Sequence, residues 1–114
     1  MATPATRTVA MVHFPFSDLS DAKLRPAVIL AQANRSDWVL CQITSKPYAD
    51  SDAVEIADDD FQSGTLKLTS YARPGKLFTA HESLIVTEEG TLQPEVFEKI
   101  VNAVVRLIQS SLQP

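Results

Sequence analysis

The stretch HFPFSDLSDAKLRPAVIL, residues 13–30, decides the fold. An apolar run closes on Phe14 and Phe16, a polar segment rich in Ser and Asp follows, and a second apolar run opens at Pro26. Ser and Asp favour turns because their short side chains bond to nearby backbone, so runs 8–14 and 26–31 read as antiparallel strands. The connection of about eight residues exceeds the two to five usual in hairpins, which marks it as a candidate functional loop. Arg25 stands where the chain re-enters the sheet, between Leu24 and Pro26.

Working outward, 33–37 is a tighter turn and 38–44 is nearly continuous in apolar residues, as in a strand covered on both faces. The pattern breaks through Ser45, Lys46, Pro47 and Tyr48, and 53–56 alternates weakly as a short strand. Asp58, Asp59 and Asp60 followed by 61–64 read as one helical turn, capped by Asp and ended by Gly64. Strands over 65–72, 76–79 and 84–87 follow, separated by Pro74-Gly75 and by Glu88-Glu89-Gly90. Short strands at this spacing predict a small barrel or sandwich. The period then changes: Phe97, Ile100, Val101, Val104 and Ile108 recur at three and four, the mark of an amphipathic helix over about 94–112. Pro94 suits its first position, and Leu92 can staple onto Phe97. The 114 residues read as one mainly β domain, with the barrel at about 7–90 and a C-terminal helix packed on it.

A composition of 45% hydrophobic and 21% charged residues is that of a globular protein. No apolar stretch approaches a membrane span, and MATPATRT lacks the features of a signal peptide, so a cytoplasmic location is expected. Cys41 has no intramolecular partner and reads as a small buried side chain. The net charge of -4 argues against a broad basic surface. Eight of the ten basic residues nevertheless lie at or before Lys76, which leaves room for a local basic groove. The three dispersed glycines exclude clustered phosphate-binding loops. His13 and His81 lack ligand spacing, and three successive acids cannot converge on one ion, so neither a metal nor a cofactor is expected.

What remains is a set of basic and hydroxyl side chains: Arg25, Thr44-Ser45-Lys46, and Ser70 with Arg73. A meander of the first three strands brings the start of the second beside the end of the third, so Arg25 and Thr44 become neighbours. Guanidinium beside hydroxyls suits a phosphate, whose oxygens it matches bidentately. From the residues alone the plainer reading comes first: Arg25 as an ion-pair partner of Asp18 or Asp21, and Thr44 as an ordinary strand-edge threonine.

The succession FPFSDLS, KLRPAVIL, QITSK and GTLKLTSYARPGKLFT, closed by an amphipathic helix, resembles the MazF/PemK toxins of type II toxin-antitoxin modules over about 7–108. The resemblance implies an SH3-like β-barrel of the MazF/CcdB type with a C-terminal helix, assembled as a homodimer. It also implies metal-independent, sequence-selective cleavage of single-stranded RNA, with no cofactor. The family's active-site arginine and threonine correspond to Arg25 and Thr44. Attack of a 2'-hydroxyl on phosphorus builds negative charge that a preorganised guanidinium stabilises, leaving a 2',3'-cyclic phosphate and a 5'-hydroxyl. Arginine stays protonated and is a poor general base.

Two departures from the family stand out. Arg7-Thr8 replaces the glycine and acidic residue that open many members, and Gly75 stands where some relatives carry an aspartate two residues after the arginine matched by Arg73. Ser45, Arg73 and His13 are further candidates for catalysis or phosphate binding, with His81 as another proton carrier; the plainer reading of His13 is a packed or interface residue on its strand. Phe16, Tyr48 and Tyr71 are candidates for base stacking, and Lys23, Lys46, Lys67, Lys76 and Ser70 for other RNA contacts. Expected partners are a second copy, a cognate antitoxin with a disordered acidic tail, and single-stranded RNA, with DNA reached only through the antitoxin complex and no membrane. A non-catalytic binding member of the same fold, such as a gyrase poison or a degenerate toxin, is the alternative.

Overall fold

The computed structural model describes residues 3–14, 23–47 and 49–112. Its strands are β1 (Thr8–His13), β2 (Leu24–Gln32), β3 (Asp37–Thr44), β4 (Val54–Ile56), β5 (Phe61–Gly64), β6 (Ser70–His81) and β7 (Ile85–Leu92), followed by helix α1 (Pro94–Gln109). They form one seven-stranded sheet in the order β4-β6-β3-β2-β1-β7-β5, with antiparallel pairings throughout.

That order forces curvature. The edge strands β4 and β5 are consecutive in the chain, joined only by Ala57 and the single 3-10 turn Asp58–Asp60. Six inter-strand gaps would hold the edges of a flat sheet about 29 Å apart. Five chain steps from Ile56 to Phe61 reach about 18 Å at most. The sheet therefore curls until its edges approach, giving a mostly β, barrel-like body with one C-terminal helix.

Each face of the sheet buries its own apolar set, as the two-residue alternation of strands dictates. Val9, Val28, Cys41, Ile43, Ile56, Ala72 and Leu92 pack with Val96 and Ile100 of α1. Ala10, Val12, Ala27, Ile29, Trp38, Leu40, Ala80 and Ile85 fill the opposite face. Pro94 opens the helix at its first position, as its missing N–H and fixed φ allow, and Leu92 and Phe97 join the same cluster.

Four expectations are corrected. Residues 61–64 are not helical: the turn ends at Asp60, whose carboxylate accepts from the Ala57 N–H at 2.8 Å, and β5 begins at once. Of the strands expected at 65–72 and 76–79, residues 65–69 are loop, and the rest belongs to one strand, β6, which crosses Pro74-Gly75. Cys41 faces Leu77 while Ile43 faces Ala72, so residues 73–76 bulge out, the arrangement in which a sheet tolerates a proline that cannot donate. Glu88-Glu89-Gly90 lies within β7, where the register with β1 shifts between Gly90 and Glu88. Finally, the buried helix stripe is Val96, Ile100, Ala103 and Val104, while Phe97 and Val101 are half-buried and Ile108 is exposed. The helix has more apolar positions than one seat over β6 and β4 can cover.

Candidate active site

Arg25 and Thr44 are positioned by backbone pairing. The paired register of β2 and β3 ends at Ala27 and Gln42; Arg25 and Thr44 stand two residues beyond that pair on their strands, so alternation puts them on its face at the same end of the sheet. Arg25 also faces Val12 of β1, and Thr44 faces Tyr71 of β6, which in turn faces Glu55 of β4. Directly opposed residues in neighbouring strands point to the same face. Glu55, Tyr71, Thr44 and Arg25 therefore form one polar row across four adjacent strands, continued by apolar Val12 and Ile85.

Arg25 and Thr44 also line a cleft of about 420 Å³ with Gln42, Ser45, Lys46, Ser70, Met11, Pro26, Ile43, Leu66 and Leu68. The Thr44 Oγ1 accepts from the Lys46 backbone N–H at 3.1 Å, which leaves its own proton free to be donated outward. This bond folds the chain sharply as it leaves β3 and brings Ser45 and Lys46, both exposed, onto the cleft rim. The Ser70 hydroxyl is buried and donates to the Leu68 carbonyl at 2.9 Å, so it fixes the far wall. Arg25 is exposed, and no ion pair among the described residues engages it. Asp18 and Asp21, its alternative partners, lie outside the described residues, as do Phe16 and Tyr48.

The other sequence candidates occupy several places. Arg73 donates through Nε to Asp50 Oδ2 at 3.0 Å, and this bond holds the Asp50 carboxyl below its ordinary range. The Arg73 carbonyl accepts from the Cys41 thiol at 3.1 Å, and burial pushes that thiol up to about 12. His13 faces Leu24, one step from Arg25, so it points to the opposite face of the sheet, with Nδ1 buried and unpartnered. His81 Nδ1 accepts from the Ser83 N–H at 3.0 Å and so caps the short turn after β6. Lys67 is exposed at φ 68° in the loop carrying Leu66 and Leu68, while Lys23 is exposed just before β2. Lys76 lies on the β6 bulge, away from the cleft lining.

Gln42, Leu66, Leu68 and Glu55 were not singled out from the sequence. A Gln inside an apolar strand and a Glu in a weakly alternating one carry little local signal, and only non-local pairing places them. Among the described residues, no three His, Cys, Asp or Glu side chains are grouped to hold a metal ion, and no helix is long and apolar enough to cross a membrane.

Comparison with solved structures agrees with this architecture. An endoribonuclease from a mycobacterial species superposes with a TM-score of 0.71 at 19% identity, covering 95% of this chain and 93% of that one. A mycobacterial endoribonuclease in complex with its cognate antitoxin gives 0.74 at 16% identity, covering 93% and 95%. MazF from Deinococcus radiodurans gives 0.72 at 14%, covering 95% and 98%. A search of curated protein sequences returns no match. The sequence model of the PemK-like, MazF-like toxins matches residues 7–108, nearly the whole curled sheet and its helix. With fold and sequence pattern in agreement over that span, the chain belongs to the PemK-like, MazF-like toxins of type II toxin-antitoxin systems.

Proposed function

We propose that this toxin is a metal-independent, sequence-selective endoribonuclease that cleaves single-stranded RNA by attack of a 2'-hydroxyl on the adjacent phosphorus. The observation that carries the reading is that Arg25 and Thr44 line one cleft, with Arg25 exposed and the Thr44 hydroxyl proton free to donate. The guanidinium stabilises charge that grows on the phosphoryl oxygens as the phosphorane forms, so it binds the transition state more tightly than the ground state. Thr44 donates to a phosphate oxygen and fixes its orientation, while Ser45 and Lys46 hold the neighbouring backbone. The products are a 2',3'-cyclic phosphate and a 5'-hydroxyl. Lys23 and Lys67 add to the local positive potential of an otherwise acidic chain.

The protein acts as a homodimer that a cognate antitoxin blocks. Support comes from apolar surface left on the helix and the short turn that follows it, where Val105, Ile108 and Leu112 are 42%, 59% and 80% exposed. Beside it, Arg7, Pro94, Phe97, Glu98 and Val101 line a second groove of about 440 Å³. Structural neighbours include an endoribonuclease with its antitoxin and a MazE–MazF complex. Sedimentation of the purified chain at micromolar concentration tests the dimer, which a monomer mass would refute. Cleavage of a mixed-sequence RNA by wild type, and its loss in Arg25→Ala and Thr44→Ala with the fold intact, tests the site.

A further inference from the structure

We propose that Glu55 is the proton acceptor for the attacking 2'-hydroxyl, set at the far end of the cross-strand row Arg25–Thr44–Tyr71–Glu55. This inference rests on the endoribonuclease reading and supplies the group that reading lacks. The described lining of the cleft contains no carboxylate and no imidazole. Arg25 cannot accept a proton, and hydroxyls are weak bases near neutrality.

The pairing of β4 with β6 supplies the missing base. Glu55 faces Tyr71, and Tyr71 faces Thr44, so the carboxylate shares their face, two strands from the threonine. Opposed residues in adjacent strands stand about 5 Å apart, which puts the Glu55 and Thr44 backbones about 10 Å apart. Tyr71 and Glu55 lie outside the cleft lining, on the strands beside it, so an extended glutamate spans part of that distance and a nucleotide held at Thr44 with its 2'-hydroxyl toward β4 spans the rest. Val54 and Ile56 on either side of Glu55 turn inward to the helix-side core, so the β4 backbone is anchored while the carboxylate stays exposed.

The charged and titratable groups around it are Tyr71 and Arg73 on β6, with Arg73 paired to Asp50, and Asp50 and Asp52 in the segment before β4. In the reaction, Glu55 takes the proton from O2' as the O2'–P bond forms. The P–O5' bond breaks with its electron pair on O5', and water protonates that oxygen. The carboxylic acid then returns its proton to solvent.

The test is single-turnover cleavage of a mixed-sequence RNA by wild type, Arg25→Ala, Glu55→Gln and Glu55→Asp across pH. Binding of an oligonucleotide with 2'-deoxy residues, which cannot react, is measured alongside. The expected result is a loss of about 10²- to 10⁴-fold in rate for Glu55→Gln, partial rescue by Glu55→Asp, and unchanged oligonucleotide binding. The fall in rate on acidification, present in wild type, flattens in Glu55→Gln. A Glu55→Gln rate within threefold of wild type, while Arg25→Ala is dead, overturns the role of Glu55 and leaves the nuclease reading standing. No cleavage by wild type overturns both.

Discussion

At the scale of single residues, one ion pair and two further side chains tie stability and chemistry to their surroundings. The Arg73–Asp50 pair is mostly shielded, with side chains 22% and 17% exposed, and anchors the segment before β4 to β6. Asp50→Asn therefore costs on the order of 1 kcal/mol at neutral pH. Because the folded carboxyl titrates below its ordinary value, the pair stabilises fully above the unfolded carboxylate range, near pH 4, and is lost as pH falls through the lowered folded value. Denaturant titrations of wild type and Asp50→Asn should differ at pH 7 and converge on acidification; a gap that widens toward acid contradicts this. The Cys41 thiol, buried and raised to about 12, should resist an aromatic disulfide reagent at pH 8 in the native protein and react at the rate of unfolding. Rapid labelling of folded protein would show the thiol to be accessible. Arg7 carries φ 72°, a left-handed conformation, and donates through its guanidinium to the Leu92 carbonyl at 3.4 Å. Arg7→Gly removes the backbone strain and that weak bond together.

Elements add constraints that no single residue reveals. Gly64 and Gly90 face each other where β5 joins β7, and a Cβ at Gly90 would stand 2.5 Å from the Ser63 carbonyl oxygen and 2.8 Å from Phe61 Cδ2. Gly90→Ala should push β5 off the sheet edge and lower Tm by on the order of 10 °C. An unchanged melt would mean the strands can separate without cost. A Cβ at Gly75 meets only Leu107 Cδ2, at 3.6 Å, an ordinary contact, so Gly75→Asp should fold with Tm close to wild type. The same elements show where local sequence falls short. Pro74-Gly75 and Glu88-Glu89-Gly90 carry turn chemistry, yet both lie inside strands, because long-range pairing with β3 and β1 absorbs them as bulges or register shifts. Strands β1 to β3 were legible because their apolar runs are long and consecutive, and a meander needs only adjacent pairing. The pairing of β4 with β6 skips a strand, so the place of Glu55 beside Tyr71 had no sequence signal.

For the whole molecule, closure of the sheet through the short link between β4 and β5 turns a set of strand ends into one site. The Arg25–Thr44 neighbourhood followed from the meander alone, whereas the full polar row and the cleft walls from Leu66, Leu68 and Ser70 required the curled sheet. The family's sequence model places the chain among the toxins of type II toxin-antitoxin systems and its structural neighbours share the fold, while Arg25 stands exposed at the cleft of a net acidic chain. The most direct test is to incubate the purified protein with a long mixed-sequence RNA in EDTA, beside folded Arg25→Ala, and to map fragment ends. Wild type should make discrete cuts that leave 2',3'-cyclic phosphate and 5'-hydroxyl ends, and Arg25→Ala should slow them by about 10²-fold or more. Intact RNA, or cuts unchanged in the variant, would contradict the account.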